Sequence, residues 1–160
     1  MKRSDTQAII IGLLPSNMMA HFAHAVLLVN SRYVLQLRDN KPGIPSPGMW
    51  SLFGGRIEEG EEPQAAMLRE IEEELCVRLP DCHFLWSVDR YNSFYCAEVT
   101  YIYFEADFTA LWGRQYLTEG QAAEHFAYEE LSKLKIPPLI RDVLERHYHE
   151  RFLRSKATES

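Results

Sequence analysis

The sequence predicts a single mixed α/β domain, and three observations carry that expectation. β-favouring runs occur before, between and after helix-patterned segments. No long linker divides the chain, and its 160 residues suit one compact unit. Hydrophobic residues make up 46% and charged residues 25%, which supports a buried core and argues against wholesale disorder.

The elements follow in order. Residues 1–20 read as an N-terminal extension forming a strand or hook. Their apolar patch, residues 8–14, mimics a signal peptide, but Asp5 precedes it and Met18-Met19-Ala20 is a poor cleavage site. Residues 22–29 (FAHAVLLV) and 33–38 (YVLQLR) are strands split by Asn30-Ser31-Arg32, which is hairpin chemistry. Residues 39–49 (DNKPGIPSPGM) hold three prolines and two glycines and form a loop. Residues 50–53 are a short apolar strand ending on Gly54-Gly55. A helix starts at Pro63, since proline is tolerated at the first helical position, and runs to Leu75. Strands at 84–92 and 98–108 follow, then a loop over 111–121, a short helical segment at 128–134 and a helix over 138–152. The domain spans residues 1–154, and residues 155–160 read as a frayed tail.

Composition narrows the function classes. Seventeen basic against 23 acidic residues give a formal charge of −6, which disfavours binding a long polyanionic nucleic acid. No stretch approaches a membrane span. Cys76, Cys82 and Cys96 are odd in number and unrelated in spacing, which fits reduced thiols and a cytoplasmic location. The histidines show no zinc-ligand spacing, and no G-x-G-x-x-G crossover supports a dinucleotide fold.

The chemistry concentrates in Gly55 to Val77, GRIEEGEEPQAAMLREIEEELCV. On a helix turning ~100° per residue, Leu68, Ile71 and Leu75 fall within about 60° of one another, with Met67 beside them. Glu70, Glu73 and Glu74 occupy another arc of about 100°. Glu70 and Glu74 are like charges at (i, i+4), which destabilises a helix by a few tenths of a kcal/mol. A hard divalent cation wants several oxygen ligands, and such a trio offers them. Taken alone, EIEEE is more often a solvated acidic face.

The spacing upstream changes that balance. Gly55, five residues, Glu61, seven residues, then Arg69-Glu70-Ile71-x-Glu73-Glu74-x-x-Val77 is similar to the Nudix box, G-x5-E-x7-R-E-U-x-E-E-x-G-U, with U aliphatic. Six identities at that spacing coincide by chance roughly once in ten million starting points. The lead-in Gly48-Met49-Trp50-Ser51-Leu52-Phe53-Gly54-Gly55 and the late Glu119-Gly120-Gln121 with His125-Phe126 and Glu129-Glu130-Leu131 add to the likeness. The chain therefore resembles the Nudix hydrolases over about residues 22–144. The box's late glycine is Cys76 here, which implies a different helix exit; the cysteine is expected to be buried and structural.

The resemblance implies an α/β/α sandwich in which a mixed sheet lies between the box helix and the C-terminal helix. It implies Mg²⁺, for which Mn²⁺ substitutes. It makes Glu73 and Glu74 the leading ligands, Glu70 a ligand or the base that activates water, and the Gly54 carbonyl a further ligand. Arg69 would orient Glu73, and Glu119 is the best candidate for an acid from a distal loop. Arg38 and Gly55 are candidates for meeting the substrate, although an arginine at a strand edge is as often mere surface. Trp50, Phe94, Tyr95 and Tyr101 are candidates to stack on a base or sugar, though core packing is the commoner use. The implied reaction is hydrolysis of a nucleoside diphosphate linked to a group X, giving NMP and phosphoryl-X. Nucleotide sugars and dNTPs both remain as substrates, and a homodimer is the family habit. The alternative is a non-catalytic nucleotide sensor of the same fold. Loss of the box glutamates would favour it, and all three are present.

Overall fold

The computed structural model describes residues 20–158; the expected N-terminal strand or hook lies outside them. The chain order is β1 (Ala20–Val29), β2 (Arg32–Leu37), β3 (Trp50–Ser51), β4 (Phe53–Arg56), α1 (Pro63–Leu75), β5 (His83–Asn92), β6 (Ala97–Asp107), β7 (Ala122–Phe126), a 3₁₀ turn (Tyr128–Lys133) and α2 (Pro138–Thr158). One mixed sheet runs β3-β2-β1-β6-β5, with β4 also paired to β1 and β7 to β2. The β1–β6 pair is parallel and the others are antiparallel.

β1 sits at the centre, buried on both faces, which is why it reads as a continuous apolar run rather than a clean alternation. Ala23, Ala25, Leu27 and Val29 join Met67, Ile71 and Leu75 of α1 in one core cluster. Phe22, Val26 and Leu28 join Ile140, Val143 and Leu144 of α2 in the other. The sandwich expected from the sequence is therefore present, with one helix on each face. Asn30 (φ 47°) and Ser31 (φ 65°) both take left-handed backbone, so the β1–β2 hairpin closes through a two-residue turn of the kind that matches strand twist.

Three local expectations change. β7 is a strand in a stretch left unassigned between the expected loop over 111–121 and the helical segment at 128–134. AAEHF lacks β-branched residues, and it is a strand because β2 offers it an edge, Tyr33 opposite Phe126 through Leu37 opposite Ala122. α2 continues past residue 152 to Thr158, because no glycine or proline stops it. Cys76 is exposed rather than buried. It takes the left-handed C-cap conformation itself (φ 56°, ψ 31°), donating its N–H to the Glu72 carbonyl at 2.9 Å. The helix exit is thus the one glycine would make, at the strain cost a Cβ incurs there. Among the described residues no helix is long and apolar enough to cross a membrane.

α2 is fastened to the sheet by a polar chain. His147, 1% exposed, bonds the Tyr33 hydroxyl through Nδ1 at 2.8 Å and the Glu105 carboxylate through Nε2. The bond to His147 holds the Glu105 carboxyl below its ordinary value of 4.5. A carboxyl depressed on folding adds stability above its unfolded pKa and loses it as pH falls through the folded one. The gap in melting temperature between the wild type and Glu105→Gln is therefore expected to be full above about pH 4.5 and to shrink toward pH 3. A gap that stays constant across pH 3–6 would refute this.

Candidate functional site

The site forms where β4 runs beneath α1. Gly54 and Gly55 pair with His24 and Ala23 of β1, which draws that bend close to the central strand. Gly54 has φ +139°, and a Cβ there would collide with the Ala23 carbonyl and lie 2.7 Å from His24 Cα. At Gly55 a Cβ would fall on the Glu70 carboxyl carbon, with both carboxylate oxygens 2.7 Å away. The paired glycines therefore make the room that an acidic side chain fills.

Glu70 and Glu74, 7% and 5% exposed, belong to the buried face of α1 with Ala66, Met67, Ile71 and Leu75. The apolar stripe is centred nearer Met67 than Leu68, which is half-buried. That rotation separates the acidic trio. Glu70 and Glu74 turn in toward β4, while Glu73 stays exposed. Burial of two carboxylates rules out a simple solvated face, since charged groups leave water only with partners.

The partners are present. The Gly54 N–H donates to Glu74 Oε2 at 3.1 Å. Arg69 forks onto Glu61, Nε to Oε2 and Nη2 to Oε1, both at 2.8 Å. Its Nη1 donates to Glu70 Oε1 at 2.7 Å, and its Nη2 to the Arg56 carbonyl at 3.0 Å. The expected pairing with Glu73 is the loosest of these, at 3.4 Å. Arg69 thus orients Glu70 more than Glu73, and Glu61 is the anchor of the guanidinium. Hydrogen bonding from Arg69 holds the Glu61 carboxyl below the usual range and pushes the guanidinium pKa up.

A latch brings the distal loop to the helix end. Tyr116 N–H donates to the Leu75 carbonyl at 2.9 Å and Thr118 N–H to the Glu74 carbonyl at 3.0 Å. The Thr118 hydroxyl donates to the Glu73 carbonyl at 2.8 Å. These bonds satisfy carbonyls that a helix leaves unpaired in its last turn. They place Glu119, exposed and next in sequence, beside the end of the box helix.

The donor set is all oxygen, which suits a hard divalent cation in chemistry. As they stand, no three Asp, Glu, His or Cys side chains among the described residues are spaced as a closed ligand group. Arg69 and the Gly54 N–H hold carboxylate oxygens of the trio instead.

Of the remaining candidates, Trp50, Tyr95 and Tyr101 belong to the core cluster on the α2 face. Tyr95 and Tyr101 pack on Phe22, at ring-centroid distances of 5.5 and 5.8 Å. Trp50 packs edge-on against Phe126 at 4.9 Å, and the half-exposed Phe94 rests on Tyr95 at 5.0 Å. The Arg38 backbone is tied to Met49 and Gln121, and its charge acts on His24 and Tyr95. Sequence reasoning passed over His24, although a lone histidine in the run FAHAVLLV is a signal of its own. Burial, then the Arg38 charge, lowers its pKa to about 4.

A layered α/β fold with carboxylates gathered under a glycine bend defines a Nudix-type domain. The NUDIX domain profile matches residues 19–147, so the chain belongs to that family. None of the curated proteins compared matches it. Solved structures agree on the fold. A MutT NUDIX hydrolase from Burkholderia pseudomallei is 23% identical with a TM-score of 0.69, covering 81% of this chain and 98% of that one. The MutT protein of Methanosarcina mazei Go1 is 19% identical with a TM-score of 0.73, covering 86% and 99%. The NUDIX domain of Shewanella oneidensis NrtR, in complex with ADP ribose, is 16% identical with a TM-score of 0.69, covering 94% and 99%.

Proposed function

We propose that the chain is a Mg²⁺-dependent hydrolase of nucleoside diphosphates linked to a group X, releasing NMP and phosphoryl-X. One observation supports this reading above the others: Glu70 and Glu74 are buried beneath the Gly54-Gly55 bend, with Arg69 fastened to the set. Glu73 and Glu74 are the leading ligands. The Gly54 carbonyl and Glu119 add oxygen donors, and Glu70 serves as a further ligand or as the base that takes a proton from water. When bound, the cation offsets charge on the phosphoryl oxygens and makes its water more acidic.

The chain's own contribution is positional. Arg69 holds Glu70 in one orientation toward the bend, and the bare glycine backbone lets a diphosphate come close. Arg38 is the candidate fork donor to a phosphate. Most of the acceleration then comes from positioning and from preorganised electrostatics. The ADP ribose held by the Shewanella domain brings nucleotide sugars into the range of X, beside dNTPs.

The test is a panel of nucleotide sugars, ADP-ribose and dNTPs with Mg²⁺, comparing wild type with Glu73→Gln. Glu73 is exposed, so the substitution spares the core. Turnover is expected to drop by about 10²-fold or more, and chelation of the cation to abolish it. Equal turnover by both proteins would remove Glu73 from the mechanism.

A further inference from the structure

The last turn of α1 is capped from outside the helix. The Cys76 N–H donates to the Glu72 carbonyl at 2.9 Å, so the carbonyls of Glu73, Glu74 and Leu75 lie past that last bond. The distal loop meets all three. The Thr118 hydroxyl donates to the Glu73 carbonyl at 2.8 Å and stands 3.3 Å from that of Glu74. The Thr118 N–H donates to the Glu74 carbonyl at 3.0 Å, and the Tyr116 N–H to that of Leu75 at 2.9 Å. Between them Leu117 packs against the core cluster of the α1 face.

The far side of the loop is pinned as well. At the end of β2, Gln121 donates its N–H to the Leu37 carbonyl and its Nε2 to the Arg38 carbonyl, both at 2.8 Å. Gly120, at φ +84°, runs so close that a Cβ there would lie 2.8 Å from the Leu37 carbonyl oxygen. Glu119 therefore stands between two clamps, next to Thr118 on one side and two residues from Gln121 on the other.

Two of the capped carbonyls belong to Glu73 and Glu74, the leading ligands of the hydrolase reading. With the loop backbone tied to theirs, drawing these carboxylates onto a cation takes only side-chain rotation. The entropy of ordering the loop is already lost on folding. We propose that Thr118 is a positioning residue: its hydroxyl and N–H set Glu119 against Glu73 and Glu74, so that donors from two elements act as one cation site. It acts through Glu119 and touches neither cation nor substrate. The inference deepens the hydrolase reading and rests on it for Glu119 as a donor.

Mn²⁺ binding to the full chain, measured by calorimetry without substrate, tests it. Thr118 is exposed, so Thr118→Val spares the core while removing the hydroxyl. That change is expected to weaken Mn²⁺ binding about tenfold, and Thr118→Ser, which keeps the hydroxyl, to stay within about threefold of wild type. In a Glu119→Gln background Thr118→Val should shift affinity by less than about twofold, because the residue it acts through is gone. Melting temperatures are read alongside. A cap that only stabilises the helix would lower the melting temperature of Thr118→Val and leave Mn²⁺ affinity unchanged, which overturns the inference. Equal losses of affinity with and without the Glu119 carboxylate would overturn it too. Failure of the hydrolase reading shows separately, as Mn²⁺ binding that follows this pattern in a protein that turns over no nucleoside diphosphate derivative.

Discussion

Gly54→Ala is expected to cost about 3–5 kcal/mol of stability, enough to leave a domain of this size marginal or unfolded. Two penalties combine. The φ of +139° is foreign to an L side chain, and the new Cβ meets the Ala23 carbonyl, which is backbone of the central strand and has nowhere to go. Gly55→Ala is the informative contrast. There the obstacle is the Glu70 carboxylate, the free end of a side chain, and no left-handed backbone is involved. That protein should fold with a loss of about 1–3 kcal/mol and lose hydrolysis by roughly 10²-fold, because Glu70 is displaced. Urea denaturation beside rate measurements separates the two. Full activity in Gly55→Ala would show that the position of Glu70 is irrelevant to the chemistry.

Removing the Arg69 guanidinium should be the other large effect. Arg69→Ala removes the guanidinium bond to the buried Glu70 and frees Glu61 from a two-pronged bond. Breaking a buried pair from one side typically costs about 3 kcal/mol or more, far above the ~1 kcal/mol ceiling of a surface pair. Arg69→Lys keeps the charge but not the planar fork, which here reaches Glu61, Glu70 and the Arg56 carbonyl together. It should recover less than half of the lost stability and little of the hydrolysis. An Arg69→Ala protein within about 0.5 kcal/mol of wild type would mean that the network is only a surface ion pair.

Much of the site was legible beforehand because its signals are local. Pro63 starts the box helix and Leu75 ends it, as expected. The glycine pair and the glutamate spacing needed only counting. The burial of Glu70 and Glu74 did not follow from the helix wheel, since a wheel centred on Leu68 points them outward. Only packing of Met67 and Ile71 against Ala23 and Ala25 sets the rotation that turns them in. β7 was missed for a similar reason: its residues carry little strand preference, and the edge of β2 makes the strand. Nor did spacing reveal the Tyr33–His147–Glu105 chain, whose members come from β2, α2 and β6.

By itself the sequence determined the α/β class, the box helix and the family to which the chain belongs, because periodicity, proline placement and fixed spacing act over a few residues of chain. The tertiary structure decided which carboxylates leave water, that Arg69 clasps Glu61 and Glu70 ahead of Glu73, and that His24 of β1 lies beside Tyr103 of β6. Those outcomes depend on strands far apart in sequence being brought into register. Burial and hydrogen-bond partnership are properties of that assembled neighbourhood, and no single segment carries them.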